Sequence, residues 1–409
     1  MHTSPLAQPG TGDGGGMNVY VRELCAALAR TGVECEVFTR ADDPGCPATV
    51  DVEPGFRVHH IAAGPLGPVP KEELPDLVPE WTTGVGSRLA WLAEAGRPVD
   101  AIHANYWLSG VAGHTLKHQL EIPLLVTFHT LDRVKADASP EELTAREPAR
   151  RAQAEAETVG CADAVVASCT VEADQLVELY GAEPERIVIV PPGVDYAFFG
   201  PGDQAQARRA VALPIGDPVV LFAGRIQPLK GLTVAVEALA ELRSGGLDKC
   251  LLVVIGGPSG PHGLEELERV RRLIKSHGLG PAVRLLPPQR HEMLSTYYRA
   301  ADACIVPSHS ESFGLVALEA AACGVPVVAS AVGGLTTLVD HGRTGFLVDG
   351  RDPSEYAKPL SEILMDPGLA RGLGRAAAAR ARAYTWRAAA EDLWACGEGL
   401  TSSVLVACG

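Results

Sequence analysis

The chain has 409 residues, 46% of them hydrophobic, and a formal net charge of −15. That length suits two to three domains with cores of ordinary size. The charge argues against a nucleic-acid partner, whose affinity comes mainly from Lys and Arg neutralising phosphates, and it does not favour a membrane surface.

The chain opens on "MHTSPLAQPGTGDGGGMNVYVREL". A glycine-rich loop, Gly10 to Gly16, runs into a helix over 18–30 with Val21, Leu24, Ala27 and Leu28 on one face. Short β-branched runs then alternate with helical ones. The strands expected are 34–40, 56–62, 100–106, 123–129, 163–169 and 186–192. After a turn-rich stretch at 200–206 the pattern starts again with 218–224, 250–257, 283–287, 302–308, 326–330 and 345–349. Near-continuous apolar runs of this kind are those of parallel strands covered on both faces. A helix over 263–277 should bury Leu264, Leu267, Val270 and Leu273. A last helix over 384–400 has Thr385 as a plausible N-cap and Trp386, Ala390, Leu393 and Trp394 on one face. The stretch 401–409 has no evident role.

Two successive α/β series imply two Rossmann-like, doubly wound domains of α/β class. The expected division is 1–198, 199–383 and a C-terminal helix, 384–409, packing back toward the first domain. No apolar run is long enough to span a bilayer and no leader pattern is present, so a cytoplasmic protein is expected. Ten cysteines are scattered without CxxC spacing, which suggests neither a zinc cage nor a redox pair; buried free thiols are expected.

Ligands of doubly wound sheets bind beyond the C-terminal strand ends, and the chemically interesting residues fall there. Arg225 and Lys230, in "AGRIQPLKG", could neutralise a diphosphate, Arg by its fork and Lys as a point charge. Two solvated loop cations would look the same. Glu311 and Glu319, in "ESFGLVALE", could read sugar hydroxyls and a ribose diol, or act only as partners of a helix dipole. His129 stands at a strand end, where a lone histidine is more often structural. Nothing in spacing unites Lys71, Tyr106, Thr130 and Arg151.

Together "RIQPLKG", "ESFGLVALEAAACGVPV", "PPGVD" and "GGMNVYVREL" resemble the family 4 retaining glycosyltransferases, over essentially the whole chain. The resemblance implies the GT-B fold, two facing Rossmann-like domains that bind a nucleotide sugar in an inter-domain cleft. "HTSPLAQPGTGDGGGMNVYV", "YWLSG" and "YRAAD" are similar to members that move N-acetylglucosamine from UDP-GlcNAc to 1D-myo-inositol 3-phosphate in mycothiol biosynthesis. By that likeness Arg225 and Lys230 hold the donor diphosphate, Glu319 the ribose and Glu311 the donor sugar. His129 helps hold that sugar and stabilises charge beside it. Gln8, Pro9, Gly16 and Gln289 complete the donor site. The acceptor set is His2, Asp13, Gly14, Gly15, Gly16, Met17 and Asn18, with Lys71, Tyr106, Thr130 and Arg151 for its phosphate. A magnesium ion is implied at Tyr298, Arg299 and Ala301, mostly through backbone oxygens, and no organic cofactor. The partners implied are the nucleotide-sugar donor and a small-molecule acceptor, with a homodimer left open.

The chain departs from the family pattern at Val325, Asn105, Ala321 and Ala136, where threonine, histidine, glutamine and asparagine are usual. Family members also carry a short apolar strand before "HTSP". A segment upstream of Met1 is therefore expected; without it the first sheet should show a gap or an exposed edge and His2 should be poorly anchored. Two other readings stay open: the same chemistry on another small acceptor or nucleotide sugar, and a non-catalytic nucleotide-sugar binder. A nicotinamide dehydrogenase is not supported, because no GxGxxG follows a strand.

Overall fold

The computed structural model describes residues 1–10, 14–138 and 147–408. It divides into two compact units. The first comprises Met1–Ala7, Met17–Pro192 and Trp386–Gly409, the second Gln8–Gly16 and Gly193–Thr385.

The first unit carries β1 (Cys35–Arg40), β2 (Thr49–Glu53), β3 (Phe56–Ile61), β4 (Ile102–Asn105), β5 (Leu124–Thr127), β6 (Ala164–Ala167) and β7 (Ile187–Ile189). They form two sheets, β1-β3-β2 and the all-parallel β4-β5-β6-β7. Strands β5 and β6, "LLVT" and "AVVA", are buried at every position. Their side chains join Trp81, Leu92, Leu108 and Leu116 in one core, where each fully buried Leu or Val contributes roughly 1.5–3 kcal/mol relative to exposure. Strand β2 was not among the expected strands. It turns back through Pro54-Gly55 onto β3 in antiparallel pairing, and its half-exposed edge position gives it no apolar run.

Residues Met1–Thr3 bridge the C-terminal ends of β1 and β4. Met1 lies in the core, its amine 3.3 Å from Ser109 Oγ, and burial pushes that amine down to about 5. Thr3 O accepts from Thr39 Oγ1 at 3.5 Å. The His2 ring sits 4.4 Å from the Tyr106 ring, so His2 is anchored, contrary to expectation.

In the second unit six parallel strands, β8 (Val219–Ala223), β9 (Leu251–Ile255), β10 (Val283–Leu286), β11 (Ala303–Val306), β12 (Val327–Ser330) and β13 (Gly345–Val348), take the order β10-β9-β8-β11-β12-β13. The strand order reverses between β8 and β11, the switch point at which such sheets bind ligands.

Helical periodicity overreached at two positions. In helix Gly263–Ser276 Val270 is fully buried, but Leu264 is 71% exposed. At about 100° per residue Leu264 lies roughly 120° around from Val270, outside the buried stripe. Trp394 in helix Trp386–Thr401 is 44% exposed for the same reason, while Trp386 packs 5.8 Å from the Tyr20 ring. Among the described residues no helix is long and apolar enough to cross a membrane. Cys250, Cys304 and Cys323 are buried free thiols. Cys161 and Cys408 are not: 247 residues apart in sequence, they meet.

Candidate active site

Each unit brings together its own set of functional residues. In the second unit the chain leaves β8 through Gly224 and Arg225, makes a short turn at Pro228–Lys230, and enters helix Leu232–Ser244 through Gly231. Gly231 has φ +65°, and a Cβ there would lie 2.1 Å from the Pro307 carbonyl oxygen. Only glycine fits this approach, and it holds the loops after β8 and β11 against each other. Lys230 Nζ thereby reaches Glu311 Oε2 at 2.6 Å, and Ser308 Oγ donates to the same oxygen at 3.2 Å. The Glu311 backbone is fixed in turn: its carbonyl accepts from Gly334 N at 3.0 Å, and Gly333, φ +47°, leaves no room for a Cβ beside it. A carboxylate and an ammonium, both about one-fifth exposed, thus stand at the switch point.

Glu319 follows on helix Leu315–Ala322 and is 5% exposed. Tyr298 Oη donates to its Oε2 at 2.9 Å, and His291 Nε2 lies 2.6 Å from Oε1. Burial and the neighbouring Glu319 push the Tyr298 hydroxyl well above its ordinary value, so it remains a donor. A carboxylate offers about four acceptor sites, so these two bonds orient Glu319 and leave capacity for a diol.

The glycine-rich loop belongs to this unit. A Cβ on Gly15 would lie 3.3 Å from Arg225 Nε, and one on Gly16 would lie 3.4 Å from Leu315 Cδ1. Gly10 packs on Pro288, Gln8 Nε2 donates to Pro288 O at 3.3 Å, and Gly257 approaches Gly10 O. Residues 8–10 and 14–16 therefore lie against the loops that follow β8, β9 and β10, with Pro9 half-buried among them. Gly10 N donates to Gly14 O at 2.9 Å, closing the loop on itself. Asp13 lies outside the described residues. Gln289 donates its amide to Pro287 O at 2.9 Å.

In the first unit the four residues that spacing left scattered converge. Arg151 is 3% exposed; its Nε meets Glu155 Oε1 at 2.7 Å, and Nη2 donates to Thr130 O at 2.7 Å and Thr130 Oγ1 at 3.1 Å. Nη1 donates to Tyr106 Oη at 3.3 Å. Arg150, the neighbouring residue, points outward to Asp76. The Tyr106 ring has the Arg151 guanidinium 5.1 Å and the Lys71 ammonium 5.6 Å from its centre, and the His2 ring at 4.4 Å. Two cations thus gather on one aromatic ring beside a hydroxyl, the Arg151 charge being paired with Glu155.

Backbone strain marks the same place. Tyr106 has φ 78° and ψ 154°, a conformation normally left to glycine, and His129 has φ 62°. Strain of about 1–3 kcal/mol at each is the order expected of such positions. They follow the C-terminal ends of the neighbouring strands β4 and β5. Tyr106 N donates to Thr127 O at 2.8 Å, and His129 Nε2 meets Asn105 Oδ1 at 2.8 Å. Burial, helped by the adjacent His103, pulls His129 down to about 3. The ring is neutral near pH 7, so what it can offer is hydrogen bonds.

Two further sets of expected site residues are engaged with their own chain. Asn18 is 1% exposed, and its amide donates to Thr3 Oγ1 at 2.9 Å and to Ser4 O; the side chain holds the N-terminal segment. Met17 beside it packs against the core. The residues at Tyr298, Arg299 and Ala301 do not fit a magnesium ion. Tyr298 O accepts from Ala301 N, and Ala301 O accepts from Gln204 Nε2. Arg299 donates to Phe198 O, and Arg208 donates to Ala300 O and pairs with Asp302, the nearby carboxylate. Two guanidiniums among carbonyls already engaged are a poor setting for a cation that demands near-octahedral oxygen.

The residues that sequence reasoning missed are supports: Ser308 and His291 in the second unit, Glu155 in the first. Of these only Ser308, three residues before Glu311, carried a local signal.

Comparison with known proteins agrees with this geometry. The model described as Glycosyl transferase 4-like domain matches residues 15–193, and that described as Glycosyl transferases group 1 matches residues 203–380. A D-inositol 3-phosphate glycosyltransferase from Acidothermus cellulolyticus is 49% identical over 389 residues, covering 94% of this chain and 86% of that one. One from Actinosynnema mirum is 48% identical over 398 residues, 97% and 94% of the two chains. Among solved structures, sucrose-phosphate synthase from Thermosynechococcus elongatus superposes with a TM-score of 0.88 at 34% identity, covering 99% of this chain and 98% of that one. Anabaena HepE in complex with UDP and glucose shares the fold, with a TM-score of 0.74 at 20% identity over 96% and 98% of the two chains. The chain belongs to the glycosyltransferase family built from these two domains, has the GT-B fold, and is a hexosyltransferase.

Proposed function

We propose that the chain transfers N-acetylglucosamine from UDP-GlcNAc to 1D-myo-inositol 3-phosphate with retention of configuration. The observation that carries this reading is the gathering of Lys71, Thr130 and Arg151 about the Tyr106 ring and hydroxyl in the first unit. A phosphate ester would give Lys71 a charge to neutralise and Arg151, already paired with Glu155, a further acceptor; a free cyclitol would not. The names of the relatives point the same way.

The donor belongs to the second unit. Arg225 and Lys230 would neutralise the diphosphate, and their contribution would grow as negative charge develops on it in the transition state. Lys230 would then share its three donors between the diphosphate and Glu311. Glu311 would accept from donor-sugar hydroxyls, and Glu319 from the ribose diol. No carboxylate is needed as a nucleophile. In a front-face route the leaving diphosphate oxygen takes the proton of the attacking acceptor hydroxyl as the glycosidic bond to UDP breaks and the new one forms. The protein supplies position and electrostatics. His129, neutral and oriented by Asn105, would offer hydrogen bonds to the donor sugar.

A second reading changes only the acceptor. It is favoured by Asn105, which stands where the family usually has histidine and which directly orients His129. The test is product mass spectrometry with UDP-GlcNAc and either inositol 3-phosphate or free inositol. Turnover confined to the phosphate ester supports the proposal, and none with the ester overturns it.

A further inference from the structure

Residues 402–408, beyond helix Trp386–Thr401, return to the first unit and are fastened there. The buried ammonium of Lys117 donates to Val406 O at 3.0 Å, to Cys161 O at 2.7 Å and to Asp163 Oδ1 at 2.9 Å. Asp163 Oδ1 accepts from Val406 N at 2.7 Å. A buried ion pair thus clamps both polar groups of one backbone residue, and this delivers Cys408 to a defined place. There its Sγ lies 2.9 Å from His118 Nε2 and is paired with the sulfur of Cys161 as a disulfide, with the two Cα atoms 5.1 Å apart. Cys161 Sγ is 3.8 Å from His118 Nε2. His114 stands one turn earlier on helix Trp107–Leu120, its ring 5.2 Å from that of His118. One donor atom from each of the four residues falls within 4.8 Å of all the others.

We propose that His114, His118, Cys161 and Cys408 form a structural site for a borderline-soft divalent cation, zinc by its chemistry. Two histidines at i and i+4 present both imidazoles on one helix face, and His-x₃-His is a spacing zinc uses. Metal–ligand distances of about 2.0–2.3 Å place tetrahedral donors roughly 3.4–3.8 Å apart; the two sulfurs lie 2.9 and 3.8 Å from His118 Nε2, and to take up an ion the sulfurs themselves have to part. Two thiolates balance the charge of the ion, and a tetrahedral N₂S₂ set selects zinc over magnesium or calcium. With four protein ligands the site has no open position, so it fastens residues 402–408 and performs no chemistry. Lys117 supports it by fixing the Cys161 carbonyl. The disulfide between Cys161 and Cys408 accounts for the two sulfurs, but it leaves both imidazoles converging there without a purpose.

The test uses the full chain, expressed with zinc and purified under reductant without chelator. Elemental analysis should find about one zinc per chain. Cobalt substitution should give the visible bands of a tetrahedral thiolate site. Both signals should be lost in Cys408→Ser and in His118→Ala, while Cys408→Ser, altered only in a surface segment, keeps its glycosyl transfer. Three results overturn the proposal: no zinc bound when zinc is supplied, zinc retained in both variants, or an intact mass two hydrogens short, which reports the disulfide.

Discussion

Replacing Lys230 by alanine separates its two duties. In the folded protein Lys230 neutralises Glu311 at 2.6 Å, with the two side chains 24% and 19% exposed. A pair so open to solvent is worth about 1 kcal/mol to stability, which lowers Tm by roughly 2–4 °C for a unit of this size. On the proposed function its effect on turnover would be larger. Losing one preorganised group that faces developing charge costs about 2.7 kcal/mol or more, a fall in kcat of at least about 100-fold. The assay is UDP release with saturating UDP-GlcNAc and inositol 3-phosphate, with Tm measured on the same preparation. Adding Glu311→Ala to Lys230→Ala sharpens the test. Because Glu311 is itself proposed to hold the donor sugar, the expected double variant is no faster than Lys230→Ala; recovery in it would mean that neither side chain does more than neutralise the other. A kcat for Lys230→Ala within about threefold of the parent refutes the reasoning, as does recovery in the double variant.

Arg151→Met should destabilise the first unit by about 3–5 kcal/mol in urea unfolding, because it strands Glu155, a fully buried carboxylate, without its partner. Gly231→Ala, with its Cβ driven against Pro307 O, should lower both Tm and turnover; a variant with unchanged Tm would contradict the described loop packing. Glu319→Gln should raise the KM for the donor far more than it lowers kcat, and the reverse pattern would remove its ribose role. Acid should weaken the fold. His129 and His103, lowered to about 3 and about 4, stay neutral in the folded state while the unfolded chain protonates them near its ordinary 6.5. Their contribution is whole above about pH 6.5 and is lost as pH falls toward 4, by roughly 2 kcal/mol each since both rings are partly open to water. Stability that is flat from pH 7 to 4.5 in His129→Asn but not in the parent would assign the whole effect to His129.

The strands were legible because burial on both faces writes itself as an apolar run, as in "LLVT" and "AVVA". Strand β2 was not, because an edge strand needs no such run. Arg225, Lys230 and Glu311 could be read since each lies just past a strand end, where a doubly wound sheet binds. Lys71, Tyr106, Thr130 and Arg151 come from four separate segments, and spacing cannot unite residues that only the folded chain brings together. The packing of Gly15 on Arg225 left no trace for a related reason: a glycine's contact is a backbone contact and carries no side-chain pattern. Cys161 and Cys408 were hidden by their 247-residue separation, although His-x₃-His was present in "HTLKH".

The placement of Gln8–Gly16 bears on how this enzyme can be taken apart. The strip that lies over Arg225 is encoded some 200 residues before it, and both of its ends, Ala7 and Met17, belong to the other unit. A fragment spanning Gly193–Thr385 would have all six strands and both glutamates, yet its Arg225 would lack the backbone of Gly15 that packs on it. Neither half of the gene therefore encodes a self-sufficient module. Exchanging donor specificity between relatives by swapping the second half alone would leave the recipient's own Gln8–Gly16 to seat on a foreign Pro288 and Arg225, so that strip has to travel with the half it covers.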